Sequence, residues 1–319
     1  MPLPAPFEAL RLPVIAAPMF IVSNPALVIA QVKSGIVGSF PALNARPASQ
    51  LDEWLHEISE GTQGSAVPFA VNLIVHKTNT RLEQDLETCR KWRVPMIITS
   101  LGARPDVNAA VHEWGGIVLH DVIDDAFARK AIEKGADGLI AVAAGAGGHA
   151  GVQSPFALMQ EIRSWFDGLV ALSGAIACGR SILAAQAMGA DFAYVGTPWI
   201  ATPEANAVEG YKQAIVDGRA SDIVNSNLFT GVHGNYLRAS IAAAGMDPDN
   251  LPQGDPSIMN FGSGGNMDAK AWRDIWGAGQ GIGAIRTVEP VSARVDGLAL
   301  QYERAIADLA ERTGAKQSA

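Results

Sequence analysis

The densest chemical signal in the chain is Gly145-Ala146-Gly147-Gly148-His149-Ala150-Gly151, directly after the apolar run Leu139-Ile140-Ala141-Val142. Glycine permits positive φ and lets the main chain approach another molecule closely. His149 is the one side chain of this turn able to exchange protons near neutral pH. The pattern fits a cofactor or substrate held against the backbone with a base beside it, and equally a tight turn carrying a surface histidine. Two further turns, Ser173-Gly174-Ala175-Ile176 and Gly196-Thr197, each end an apolar run. Glycine with Ser or Thr there, and no Walker lysine, suits the phosphate monoester of a cofactor better than a nucleoside triphosphate. His56, His76 and His112 are not grouped with cysteines or carboxylates at ligand spacing, so no metal site is expected. His233, within Gly231-Val232-His233-Gly234-Asn235-Tyr236, reads as an exposed loop histidine or one reaching the substrate.

These turns need a scaffold, and one unit recurs along the chain. Apolar runs at Val14–Ala17, Ile36–Ser39, Phe69–Asn72, Met96–Thr99, Gly116–Leu119, Gly138–Ala141, Leu169–Leu172 and Phe192–Val195 are separated by amphipathic segments. Strands apolar throughout are expected where both faces are covered, as in a parallel sheet. Helices are expected over Pro25–Lys33 after a Ser23-Asn24 cap, Leu51–Ile58, Asp124–Lys134, Pro155–Arg163 and Arg180–Met188. Gly135-Ala136-Asp137 and Gly189-Ala190-Asp191 repeat one helix-to-strand joint. The rhythm predicts an α/β fold: a (β/α)8 TIM barrel with a small helical insertion after strand 8. The barrel would comprise 1–204 and 271–319, and 205–270 would form a helical cap covering the active site. Within it, helices are expected at Asn206–Val216 and Asn235–Ala244, and a final helix at Val291–Glu311.

In a barrel, ligands sit at the C-terminal ends of the strands. That rule selects Pro18-Met19, Asn72, Ser100-Leu101-Gly102, His120-Asp121, the His149 loop, Ser173-Gly174 and Gly196-Thr197. Trp54, Trp92, Trp114 and Trp165 fall on amphipathic segments and read as packing, whereas Trp199 is expected to face the pocket.

The chain has 319 residues, 48% apolar and 18% charged, enough for a sizeable core in one large domain or in two. A net charge of −8 argues against an electrostatic grip on nucleic acid or anionic membrane. Cys89 and Cys178 form no CxxC pair, which fits a reducing compartment. Met1-Pro2-Leu3-Pro4-Ala5 has no secretory pattern, and no apolar run approaches the roughly 18 residues that span a bilayer. A cytoplasmic protein, with no membrane or nucleic-acid partner, is the expectation.

Several stretches carry a resemblance. They are Pro13-Val14-Ile15-Ala16-Ala17-Pro18-Met19, Phe69-Ala70-Val71-Asn72-Leu73, Gly147-Gly148-His149-Ala150-Gly151, Ala171-Leu172-Ser173-Gly174-Ala175-Ile176, Ala187-Met188-Gly189-Ala190-Asp191, Val195-Gly196-Thr197 through Ala201-Thr202-Pro203-Glu204, and Gly279-Gln280-Gly281. In this order they resemble the nitronate monooxygenase (2-nitropropane dioxygenase-like) family of FMN barrels. Its relatives include flavin enoyl-acyl-carrier-protein reductases and NADH:quinone reductases. The resemblance implies bound FMN, with Ala17, Pro18, Met19 and Asn72 lining the flavin ring. It implies Gly148, Ser173, Gly174, Ala175, Gly196 and Thr197 around the phosphate, and Gln280 nearby. It makes the histidine matching His149 the group that takes the substrate proton.

Four positions depart from the family pattern. Ala146 stands where an acidic residue is usual, and Pro198-Trp199 where Arg-Phe is common. His120 stands where many relatives have Lys or Gln after strand 5, and is taken as a cofactor contact. Ala175 replaces the second glycine of its turn, compatible with the turn if its φ is negative. The leading expectation is oxidation of alkyl nitronates with O2 to a carbonyl compound and nitrite, with a possible homodimer as the assembly. The alternative is a reductase or dehydrogenase acting on a quinone, enoyl thioester or cyclic-ketone CoA ester. That reading calls for a basic strip, for which Lys212 and Arg238 are the candidates. A non-catalytic flavin carrier comes last, because a carrier has no use for a base in the flavin loop.

Overall fold

The computed structural model describes residues 6–254 and 274–314. Eight parallel strands form one sheet: β1 (Val14–Ala16), β2 (Gly38–Pro41), β3 (Phe69–Ile74), β4 (Met96–Ser100), β5 (Ile117–Val122), β6 (Gly138–Val142), β8 (Leu169–Ser173) and β9 (Phe192–Val195). A two-residue strand, β7 (Gly148–His149), lies outside that sheet. The order β1-β9-β8-β6-β5-β4-β3-β2 runs round the barrel, and a parallel bridge between Ile15 and Val37 closes it. This is the (β/α)8 barrel. Strand 2 begins later than the apolar run suggests, because its ladder with β3 starts at Gly38 opposite Phe69.

Helices α1 (Pro25–Lys33), α2 (Gln50–Gly61), α3 (Leu82–Lys91), α4 (Pro105–Glu113), α5 (Asp125–Glu133), α6 (Pro155–Arg163) and α7 (Gly179–Ala187) cover the outside. Asn24 and Asp124 cap α1 and α5 by accepting from the Leu27 and Phe127 N–H groups at 2.9 and 2.8 Å. Two layers of core follow from strand alternation. Ile15, Ala70, Ile98, Leu119, Ile140, Ala171 and Phe192 point inward, whereas Val71, Ile97, Val118, Leu139 and Val170 pack against the helices. Phe7 lies edge-on to Phe192 at 4.9 Å and stoppers the N-terminal end of the barrel. The two Gly-Ala-Asp joints behave alike. Gly135 and Gly189 take φ of 90° and 96°, and the aspartates accept from the Val118 and Val170 N–H groups of neighbouring strands at 2.7 and 2.8 Å.

After β9 come α8 (Thr197–Ile200) and α9 (Glu209–Asp217), then β10 (Ile223–Ser226), β11 (Gly234–Leu237) and α10 (Arg238–Ala243). The described part of the insertion therefore carries an antiparallel hairpin besides its helices. The helix expected from Asn235 starts at Arg238, since Asn235 and Tyr236 are taken up in pairing β11 with β10. The rest of the insertion, 255–270, together with Trp272, lies outside the described residues. The last described helix is α11 (Val291–Thr313), whose Val295 and Leu298 pack on the barrel's helical layer. Among the described residues no helix is long and apolar enough to cross a membrane.

Candidate active site

The glycine loop after β6 folds back on the barrel mouth because hydrogen bonds from three other segments hold it. Gly145 accepts at its carbonyl from Ala175 and Gln280 N–H groups at 3.2 and 2.8 Å. The Thr197 hydroxyl accepts from Gly279 N–H at 2.9 Å. A Cβ on Gly147 would lie 2.7 Å from the Gly279 nitrogen, so only glycine fits there. Gly148 takes φ of 65° and faces open space, with no heavy atom within 4 Å of a notional Cβ. The loop, the Ser173-Gly174-Ala175 turn, Gly196-Thr197 and the Gly279-Gln280 segment thus converge. Ala17 and Met19 border them: a Cβ on Gly196 would meet the Ala17 Cβ at 3.5 Å and the Met19 sulfur at 3.8 Å. Pro18 is half-buried between them. Ser173 closes β8 in the inward row of Ala171, opposite Val142.

His149 is brought to this mouth by pairing. Strand β7 joins β11 antiparallel, with Gly148 opposite Asn235 and His149 opposite Gly234. Asn235 donates its amide to the Ala146 carbonyl at 2.6 Å, locking the loop to the hairpin. Thr230 Oγ1 lies 3.0 Å from His149 Nε2. That hydroxyl accepts from the Val232 N–H at 3.2 Å and donates to the Val232 carbonyl at 2.9 Å. The hydroxyl so held fixes the imidazole at Nε2, and the neutral ring keeps a hydrogen on one nitrogen and a lone pair on the other. Burial pulls the His149 pKa down to about 4, so the ring is neutral at physiological pH.

Asn72 sits in the inward row of Ala70 at the end of β3. Its amide donates to the Ile98 carbonyl at 3.1 Å and to Ser100 Oγ at 2.7 Å. Because Ile98 offers a carbonyl, that end of the amide must be the NH2. Ser100 in turn donates to Asp121 Oδ2 at 2.5 Å.

Three expectations are corrected. His120 does not face the barrel interior: it shares its face with Val118 and Val122, pairs with Leu139, and is hydrogen-bonded through Nδ1 to Thr99 at 2.5 Å. The residue of β5 pointing inward there is Asp121, displaced by the two-residue period of the strand. Ala175 has φ of 55°, in the left-handed region, and not the negative value its side chain prefers. Trp199 is fully buried among the helical layer, donating to the Val195 carbonyl at 2.7 Å, and does not line the mouth. His233 lies exposed on the hairpin, 2.9 Å from Asn225 Oδ1. The two cations considered for a basic strip are paired: Lys212 with Glu209 at 3.4 Å, and Arg238 with Asp249 through two bonds of 2.8 Å. Among the described residues no group of His, Cys, Asp and Glu could hold a metal ion.

Sequence reasoning picked out Ser100 and Asp121 as strand ends without a role, and passed over Tyr194, Thr230 and Asn235. Counting parity from Leu119 would have set Asp121 above His120, and parity from Phe192 would have found Tyr194. Nothing local marks Thr230 or Asn235, whose roles come from the hairpin's fold.

With this geometry in place, comparison with known proteins is informative. The family model described as nitronate monooxygenase matches residues 78–247, more than half of the chain. A nitronate monooxygenase of Paraburkholderia phytofirmans is 26% identical, covering 95% of this chain and 96% of its own. A hydroxy-methyl-oxo-octahydroindene-carboxyl-CoA dehydrogenase of Rhodococcus jostii is 24% identical over 73% of this chain and 68% of its own. Among solved structures, a nitroalkane oxidase from Streptomyces ansochromogenes superposes with a TM-score of 0.79 at 25% identity, covering 96% of this chain and all (100%) of the other. FabK from Thermotoga maritima superposes at 0.78 and 22% identity, covering 96% and 97%, a likeness of fold. Barrel, mouth and relatives together define a flavin-dependent oxidoreductase. The chain belongs to the nitronate monooxygenase family.

Proposed function

We infer that this protein is an FMN-dependent nitronate monooxygenase, oxidising alkyl nitronates with O2 to a carbonyl compound and nitrite. The observation that carries the reading is a neutral histidine, clamped by β11 and Thr230, set beside a glycine cradle at the barrel mouth. The cradle fits a flavin. Gly148 leaves room for the ligand, and Gly174, at φ of 139°, brings bare backbone to the end of strand β8. Gly174, Ser173, Gly196 and Thr197 would hold the phosphate, with Ala17, Pro18, Met19 and Asn72 against the ring. One terminal phosphate at two short turns favours FMN over FAD.

A bound flavin supplies the redox chemistry. The chain's own residues position the substrate, shield it from water and handle one proton. A nitronate arrives deprotonated and needs no base. A neutral nitroalkane does, and the imidazole of His149, neutral at physiological pH, would take the proton from its α-carbon. General-base help of this kind contributes about 10²–10⁴-fold. Neutralisation of Lys212 and Arg238 by acidic partners weakens the CoA or NADPH reading, because neither is left to face a ligand phosphate.

The deciding experiment mixes purified protein anaerobically with an alkyl nitronate, and separately with NADH and NADPH, while following the flavin absorption. Bleaching by the nitronate alone, and nitrite on readmitting O2, is the expected outcome. Rapid bleaching by a nicotinamide with no nitronate reaction would move the protein to the reductase reading. FAD or no chromophore released on heating would overturn the FMN assignment.

A further inference from the structure

A nitronate is an anion, and the chain it must approach carries a net charge of −8, so entry to the mouth calls for a local cation. Lys212 and Arg238 are paired with acids. The loop after β2 offers a cation that is not. Going round the barrel from β2, strand β6 is the fourth in either direction, through β3, β4 and β5 or through β1, β9 and β8. The loop after β2 and the His149 loop after β6 therefore face each other across the mouth.

Arg46 stands exposed on the loop after β2. Its Nε donates to the Leu43 carbonyl at 3.0 Å, and its guanidinium lies 5.3 Å from the centroid of the Phe20 ring. Among the described residues its Nη groups have no hydrogen-bond or carboxylate partner. A side chain that loses rotamer freedom to a hydrogen bond and an aromatic face, yet keeps both NH2 groups available, is preorganised for an anion. The loop beneath it is fixed as well. Arg46 N–H donates to Gln50 Oε1 at 2.9 Å. Arg81 donates to the Ala45 carbonyl at 2.7 Å and pairs with Asp85 at 2.9 Å, so its own charge is already spent. Asn44 accepts from Ile21 N–H at 3.0 Å and donates to the Met19 and Ser23 carbonyls at 3.0 and 2.8 Å. Phe20 directly follows Met19, whose sulfur borders Gly196 of the cradle. Arg46 is thereby tied to the segment expected against the flavin ring. Lys77, exposed on the loop after the neighbouring strand β3 and in no ion pair among the described residues, adds charge of the same sign to this side of the rim.

We propose that Arg46 is a specificity-determining residue of the mouth, drawing in the anionic nitronate and favouring it over the neutral nitroalkane. The proposal rests on the nitronate reading above. A fixed cation at an entrance raises the encounter rate of an anion, loses its effect as salt screens it, and leaves the chemical step alone. The neutral nitroalkane has no net charge to be steered.

The test is stopped-flow reduction of the flavin-loaded full chain by a pre-formed alkyl nitronate without O2, across nitronate and salt concentrations. Arg46→Gln should lower the second-order rate constant about 3-fold or more at about 10 mM salt, and the difference should vanish near about 0.5 M. The rate at saturating nitronate should stay as in wild type, and Arg46→Lys, which keeps the charge, should remain within about 2-fold throughout. Nitrate, a planar monoanion that cannot reduce the flavin, gives a readout free of turnover. Followed through the flavin absorption, it should bind the Arg46→Gln protein more weakly at low salt. A loss that persists at high salt would assign the effect to packing on Phe20 and overturn the proposal. A lowered saturating rate would place Arg46 in the chemical step and overturn it too. A variant as fast as wild type at low salt would do the same, and each of these results leaves the nitronate reading intact. Wild type that nitronate does not reduce, but that binds nitrate through Arg46, would remove the nitronate reading and keep the anion attraction.

Discussion

His149 is the proposed base, and its surroundings set how it should respond to change. Replacement by Asn keeps the strand pairing to β11, so flavin should remain bound. Turnover of neutral nitroalkanes should drop by about 10²-fold or more, the scale of a lost general base, and turnover of pre-formed nitronates by less. Equal losses on both substrates would make His149 a positioning group. Because burial holds its pKa near 4, the neutral-substrate rate should be level across neutrality and decline only as pH falls toward that value. A midpoint at the ordinary 6.5 would mean that the ring is solvated during turnover. Ala175 offers a separate test. At φ of 55° its Cβ is strained, and Ala175→Gly relieves a left-handed penalty of about 1–2 kcal/mol against a smaller entropic cost for glycine. The variant should melt a few degrees higher, and a lower melting temperature would show that the packing of the Ala175 methyl outweighs the strain.

At the level of elements, the loop after β6 depends on partners far away in sequence. The amide of Asn235 on β11 holds the Ala146 carbonyl, and β7 exists only because β11 pairs with it. Asn235→Ala should leave the barrel's melting transition nearly unchanged while amides 145–150 exchange faster with solvent. Protection in that loop equal to wild type would mean that the backbone pairing alone suffices. The turn after β8 is less forgiving. A Cβ on Gly174 would sit 2.8 Å from the Ala144 carbonyl oxygen at a φ of 139°. Gly174→Val should therefore lose flavin, read from the visible absorption of the purified protein, and full occupancy in a folded variant would make this turn purely structural.

For the molecule as a whole, titratable groups shifted by desolvation set opposing pH dependences. His149 and His120 resist protonation when folded, with values near 4 against 6.5 for the free group. The unfolded chain therefore binds more protons between those limits, and stability falls as pH drops through that window. Asp121 works in the other sense. It keeps its proton to about 7 when folded but releases it at 3.8 when unfolded, so its contribution fades as pH rises from 3.8 to 7. Asp85, its pKa likewise raised by burial, opposes the histidines in the same sense as Asp121. The histidine share makes the urea midpoint decline toward pH 4, and Asp121→Asn removes one opposing group and should steepen that decline; a shallower profile in the variant would contradict these signs.

The barrel was legible in the chain because its cause is local and repeated. Eight β-branched, uncharged runs at helix-plus-loop spacing have one economical arrangement, and burial on both faces is written into strands such as Met96–Ser100 and Gly138–Val142. The glycine turns were legible for the same reason, since Gly145, Gly148 and Gly174 adopt positive φ that other residues avoid. Which neighbour in a strand faces the ligand was a matter of register. His120 drew attention by its chemical type, yet the two-residue period turns it outward and Asp121 inward. Other features belong to the tertiary structure alone. Trp199 is taken into the core by the packing of α8, and Lys212 and Arg238 are paired with acidic residues of the same segment. The position of the His149 ring is held by Thr230, 81 residues along the chain. Sequence determines what an element is through short-range sterics and burial, but which groups meet across a mouth depends on long-range contacts, and those exist only once the chain has closed.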